Sequence, residues 1–172
     1  MTVIKLSEPV EDVVVNLLRL ANTKLPADVG WALEAAAGWE TNEVAYTQLG
    51  AIMENVKKAE HLGLPMCQDT GIPVFYVRGR FDSSIAGDIS RGVARATREI
   101  PLRPNTVDPL TRENHGDNLG PGMPIIHYIP TDDDFTEITV LPKGAGSENM
   151  TRLATVSYTH LTLPTTSRVE IS

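Results

Sequence analysis

The chain has 172 residues, 41% of them hydrophobic and 22% charged, which suits one domain of ordinary size with its own core. Its formal charge of −7, with no Lys/Arg run longer than Lys57-Lys58, argues against a nucleic-acid partner. No apolar run is long enough to cross a bilayer, Met1 to Leu6 shows no leader-like block, and a single cysteine excludes an internal disulfide framework. The expectation is a cytoplasmic protein.

In chain order, residues 7–22 read as a first helix: Ser7 can cap, Pro9 suits the first turn, and Val10, Val13, Val14, Leu17, Leu18 and Ala21 recur at helical spacing. A second helix is expected from Pro26 to about Ala37, ending near Gly38. A third starts at Thr41 or Asn42, with Val44, Leu49, Ile52, Met53, Val56 and Ala59 as its apolar face and Gly63 as its stop. Periodicity breaks over Leu64 to Gly71. Ile72 to Val77 is then a short strand, rich in β-branched and aromatic residues.

Ser83 or Ser84 opens a fourth helix along Ile85, Ile89, Val93 and Ala96, reaching about Glu99. The proline- and glycine-rich stretch 101–124 reads as a long ordered loop, and loops of that length in compact domains are commonly functional. Ile125 to Ile129 and Glu137 to Leu141 look like a β-hairpin, with a solvated tip at Thr131-Asp132-Asp133-Asp134. Helices first, then strands with one more helix, predict an α+β fold: N-terminal helices followed by a small mixed or antiparallel sheet with a packed helix.

From about Val156 the text loses both helical and strand periodicity, and Val-Ser-Tyr-Thr-His-Leu-Thr-Leu-Pro resembles the in-frame translation of a sequencing adapter. Residues 156–172 are therefore expected to be a non-native tail, with 1–155 the native part of a longer domain and His160 without functional weight.

Three features could carry chemistry. In Leu64-Pro65-Met66-Cys67-Gln68-Asp69-Thr70-Gly71 a cysteine lies in an irregular segment beside an acid, an amide and a hydroxyl. Cys67 there can be a metal ligand or a nucleophile, and Asp69 an acid/base group, although an isolated cysteine is more often a small buried hydrophobe. A cysteine hydrolase also needs a histidine base. His61 lies at a helix end and His127 in a strand, so His115, in a polar loop, is the remaining candidate, with no motif spacing to Cys67. In Pro101-Leu102-Arg103-Pro104 the arginine is confined between prolines and can offer a planar fork to a carboxylate, or can simply be a solvated surface residue. In Lys143-Gly144-Ala145-Gly146-Ser147-Glu148-Asn149 the small residues let backbone N–H groups approach an anion, or form an ordinary turn after a strand.

Cys67-Gln68-Asp69-Thr70-Gly71, Ser90-Arg91-Gly92-Val93 followed by Pro101-Leu102-Arg103, and Lys143 to Asn149 together resemble, in order and approximate spacing, the α part of class I iron–sulfur fumarate hydratases. The Cys-Gln-Asp-Thr-Gly motif is shared with L(+)-tartrate dehydratases, whereas the Lys-Gly-Ala-Gly-Ser-Glu-Asn loop is closer to the fumarase branch. The resemblance covers roughly residues 5–154. It implies a tricarboxylic-acid-cycle hydro-lyase that interconverts fumarate and L-malate at a four-iron four-sulfur cluster, with a β subunit as partner. By the motif match, Cys67 would be one cluster ligand, Gln68 and Asp69 would line the substrate with Asp69 in proton transfer, Arg103 would bind a substrate carboxylate, and Gly146 would give a backbone contact. A cluster of this type wants about three or four thiolates, and this sequence holds one. The chain alone is accordingly expected to be inactive. L(+)-tartrate dehydratase and a non-catalytic anion-binding scaffold stand as alternatives.

Overall fold

A computed structural model describes residues 9–144 and Gly146, so the expected cap at Ser7, most of the loop after Gly144 and the expected tail at 156–172 lie outside the described residues. The elements are α1 (Val10–Thr23), α2 (Ala27–Trp39), α3 (Glu43–Leu62), β1 (Ile72–Gly79), α4 (Ile85–Glu99), β2 (Ile125–Pro130) and β3 (Thr136–Lys143). The expected α+β class holds.

One core organises these elements. Helix α1 buries Val14, Val15 and Leu18, and α4 buries Ile85, Ile89, Val93 and Ala96 at the three- and four-residue spacing that lines one helical face. Both faces meet Phe75 and Val77 of β1, each fully buried, with Ile126 of β2 and Ile138 and Val140 of β3 packed alongside. Outside this core, Arg95 of α4 bridges to Glu11 and Asp12 of α1 at 2.8 and 2.7 Å. It is held above even the usual arginine range, chiefly by its hydrogen bond to Asp12.

The sheet corrects the expected hairpin. Its order is β2-β1-β3: β2 runs parallel to β1 and β3 antiparallel to it, so the two strands flank β1 and do not pair with each other. Alternating hydrophobicity identifies a strand but carries no information about its neighbour. Residues 131–135 instead pass over the end of β1. Gly79, at φ +106, permits that crossing, because a side chain there would collide with the Phe135 carbonyl, which also accepts a bond from the Arg80 N–H at 3.3 Å. The acidic tip is solvated, as expected, with Asp134 94% exposed, and Asp133 and Asp134 also reach Arg78 and Arg80 at 3.8 and 3.4 Å.

One further expectation changes at the helices. Helix α4 opens at Ser84, as expected, although the Ser84 side chain caps no helical N–H; instead the Asp82 carboxylate accepts from the Ser84 N–H at 2.7 Å and from its hydroxyl. For α3, Asn42 caps through the Val44 and Ala45 N–H groups and Gly63 ends the helix, yet of the expected apolar face only Ala59 is buried. Helix α3 packs on α2 and touches one end of α1, so nothing among the described residues covers its outer side. No helix of the described residues is long and apolar enough to cross a membrane.

Candidate functional site

Strand register builds the site. Ile72 at the start of β1 pairs with Lys143 at the end of β3, so the segment 67–71 before β1 lies beside Gly144 and Gly146 after β3. The third component follows α4, where Ile100 and Leu102 are buried (0% and 5% exposed) and anchor the start of the long loop against the core. Gly71 seats that loop on the first one: a Cβ at this position would overlap the Arg103 carbonyl oxygen and crowd the Asn105 side chain. Three irregular segments thus meet at one end of the sheet, the usual place for loops that carry function.

Asp69 sits at the junction. Its Oδ2 accepts the Gly146 N–H at 2.6 Å, and its Oδ1 lies 3.7 Å from Arg103 Nη1 and 3.4 Å from Asn105 Nδ2. The Asn105 amide also donates to the Asp69 main-chain oxygen at 3.2 Å. The carboxylate is largely covered, at 29% side-chain exposure, whereas the Arg103 side chain is 64% exposed and free to meet a ligand from solvent. Cys67 and Gln68 precede Asp69 with exposed side chains, on a turn closed by the Thr70 hydroxyl donating to the Cys67 carbonyl at 2.9 Å.

Of the residues singled out in the sequence, the structure therefore brings Asp69, Arg103 and Gly146 into contact and sets Cys67 and Gln68 on the adjoining turn. The histidines go elsewhere. His127 stacks on Tyr76 with ring centroids 4.9 Å apart, and His115 adds its charge to the forces that hold Asp108 below the usual carboxylate range. The larger causes of that shift are the Thr111 and Leu110 N–H groups, each 2.8 Å from the Asp108 carboxylate. No hydrogen bond joins Cys67 to a histidine among the described residues.

Asn105 and Asn118 stand in the loops singled out in the sequence but carry no expected role there. Asn118 is 1% exposed, and its side chain bonds to backbone on both sides of Pro104. The available signal was the Gly-Asp-Asn turn. Asn118 has φ +60, a left-handed conformation that asparagine tolerates better than most residues.

No group of three or more His, Cys, Asp or Glu side chains that could hold a metal occurs among the described residues. With one cysteine in the whole sequence, this chain can offer a cluster a single exposed thiol and cannot complete the donor set.

A mixed sheet that gathers a Cys-Gln-Asp-Thr-Gly turn, a proline-flanked arginine and a glycine loop at one end defines the class, and residues 11–168 match the family model described as Fumarate hydratase (Fumerase). The chain belongs to that family. A protein of Methanocaldococcus jannaschii, provisionally named L(+)-tartrate dehydratase subunit alpha, is 46% identical over 152 residues, which is 84% of this chain and 53% of that protein. A Geobacillus stearothermophilus protein, provisionally named fumarate hydratase class I, is 39% identical over 78% of this chain and 27% of its own length. The Escherichia coli K12 protein named L(+)-tartrate dehydratase subunit alpha is 32% identical over 78% of this chain and 46% of its own. The chain thus spans about half, or less, of the curated relatives it matches.

Proposed function

We propose that this chain is the substrate-binding and proton-transferring portion of a hydro-lyase that adds water reversibly across the double bond of fumarate to give L-malate. The observation that carries the reading is the Asp69 carboxylate held between the Gly146 N–H and the Arg103 guanidinium, one turn from Cys67. In the dehydration direction a C–H bond beside a carboxylate must break while the neighbouring hydroxyl leaves. Ionised Asp69 takes that proton, and returns it in hydration. A dicarboxylate that docks on Arg103 exchanges the guanidinium's long contact with Asp69 for a charge-assisted bond of its own, which frees Asp69 Oδ1 beside the carbon to be deprotonated. The Gly146 N–H holds the other carboxylate oxygen, Oδ2, in place meanwhile. When bound, a four-iron four-sulfur cluster would supply the Lewis acidity that helps the hydroxyl depart, with Cys67 as one thiolate ligand. Its remaining ligands lie outside this sequence, so no step is routed through it. A β subunit completes the dicarboxylate site in this reading, which the subunit names of the relatives support.

The full-length subunit, produced anaerobically with its β partner, iron and sulfide, tests this. The expected product is a brown protein that hydrates fumarate, with kcat reduced about 100-fold or more by Asp69→Asn, the loss typical of a missing acid/base group. A colourless protein without hydro-lyase activity would leave an anion-binding scaffold. Two of the three relatives described above carry tartrate names, so L(+)-tartrate dehydration is the second reading. Relative kcat/KM for L-malate and L(+)-tartrate separates the two, because the second tartrate hydroxyl needs a hydrogen-bond partner that a fumarase site lacks.

A further inference from the structure

Behind Asp69 and Arg103 stands a side-chain network that the chemistry described so far does not use. Asn118, buried to 1% exposure, spends its whole hydrogen-bonding capacity on it. Its Oδ1 accepts from the Asn105 N–H at 2.7 Å and from the Thr106 N–H at 3.4 Å. Its Nδ2 donates to the Arg103 carbonyl at 3.1 Å and to the Thr97 hydroxyl at 3.2 Å. This fixes the sense of the amide, since a flip would face carbonyl to carbonyl at Arg103 and N–H to N–H at Asn105. Thr97 belongs to α4, is 5% exposed and donates to the Val93 carbonyl at 2.8 Å, so the network is anchored in the core helix. From Asn118 it runs through the Arg103–Asn105 backbone to the Asn105 side chain, and so to the Asp69 carbonyl and carboxylate.

Resting on the hydro-lyase reading, we infer that Asn105 and Asn118 are positioning residues for that reaction. Asn118 sets the backbone from which Arg103 and Asn105 project, and the Asn105 amide sets which oxygen of Asp69 faces the Gly146 N–H and which faces the substrate. The amide chemistry is required at both positions. A carboxylate at 105 would retain the shape and lose the donor, and would stand against the Asp69 carboxylate. A carboxylate at 118 would keep the acceptor for the Asn105 N–H and repel the Arg103 carbonyl. The two residues divide the work: among the described residues the Asn105 side chain hydrogen-bonds only to Asp69, whereas the Asn118 side chain holds the Arg103 main chain. Loss of Asn105 should therefore act on kcat, and loss of Asn118 on both kcat and KM.

The test uses the full-length α subunit assembled with its β partner, in wild-type, Asn105→Ala, Asn105→Asp and Asn118→Asp forms. Hydrogen exchange resolved to single amides reads the Gly146 N–H, which bonds to Asp69 whether or not the enzyme turns over. Both Asn105 variants are expected to exchange this amide about tenfold faster or more, with amides of the α1–α4 core unchanged. Their kcat should fall about 10- to 100-fold at nearly constant KM, the scale of a small misplacement of a reacting group. Asn118→Asp should raise KM as well, and should it fail to fold, the Asn105 pair decides. An Asn105→Asp enzyme with wild-type Gly146 protection and kcat within twofold of wild type would reduce Asn105 to packing and overturn the inference. A wild-type assembly inactive on fumarate, L-malate and L(+)-tartrate would instead sink the hydro-lyase reading, and the exchange of the Gly146 amide would still decide the positioning.

Discussion

Gly71 shows how one residue without a side chain can hold a site together. Its Cα lies against the Arg103 carbonyl, and any Cβ there must push backbone away. Gly71→Ala is expected to cost about 1–3 kcal/mol, as overpacking does, and to displace the Arg103 segment from Asp69. Urea denaturation gives the first quantity, and the Gly146 amide, which the Asp69 carboxylate accepts at 2.6 Å, reports the second. An alanine variant of wild-type stability would show that the two loops separate without cost. Cys67, Asp69, Arg103 and Gly146 were legible in the sequence because they stand in short motifs of unusual composition. Asn105 and Asn118 were not: an asparagine in a polar loop looks the same whether it is solvated or, like Asn118, buried as the hub of a network.

Elements were legible where a period defines them and illegible where partners do. The helices α1, α3 and α4 and strand β1 begin and end close to the expected residues, because caps, glycines and apolar spacing are local signals. The pairing of β2 and β3 on opposite sides of β1 is a long-range fact that two similar strands around a short turn could not reveal. Helix α4 starts where expected, with Ser84 at its N-cap, and the Asp82 carboxylate that accepts from Ser84 has a consequence for pH. The Ser84 hydroxyl, and next the Ser84 N–H, hold the Asp82 carboxyl below its ordinary value of 3.8. A folded-state pKa below the unfolded one stabilises fully above about pH 4, and that stability is lost as pH falls through the folded value. Wild type should therefore lose urea resistance more steeply between about pH 4 and pH 2 than Asp82→Asn, whose amide cannot titrate. Parallel pH curves for the two proteins would show that the Asp82–Ser84 bonds contribute nothing that depends on charge.

At the scale of the whole molecule, the core of α1, α4 and the sheet is closed, but the α2–α3 pair is not. Helix α2 is apolar around most of its circumference yet buries only Ala37, while Trp31 and Trp39 are 70% and 82% exposed. Val44 and Tyr46 of α3 are exposed as well, at 70% and 58%. A helix apolar on all sides belongs in an interior, and contiguous exposed apolar surface is normally covered in a finished protein. Since the chain spans 53% of its Methanocaldococcus jannaschii relative, the rest of that subunit is the nearest source of cover. Trp31 and Trp39 are the sequence's two tryptophans, so intrinsic emission of this chain reports on α2 alone. The isolated chain should emit at the long wavelength of hydrated indole and be quenched freely by acrylamide. In the full-length α subunit, where each signal is obtained as the difference between wild type and the Trp31→Phe or Trp39→Phe variant, the Trp31 and Trp39 signals should shift to shorter wavelength and lose most of that quenching. If they stay hydrated there and change only when the β subunit is added, the cover comes from the partner chain. The open face would then be an interface between subunits, and the α subunit would complete its own core without it.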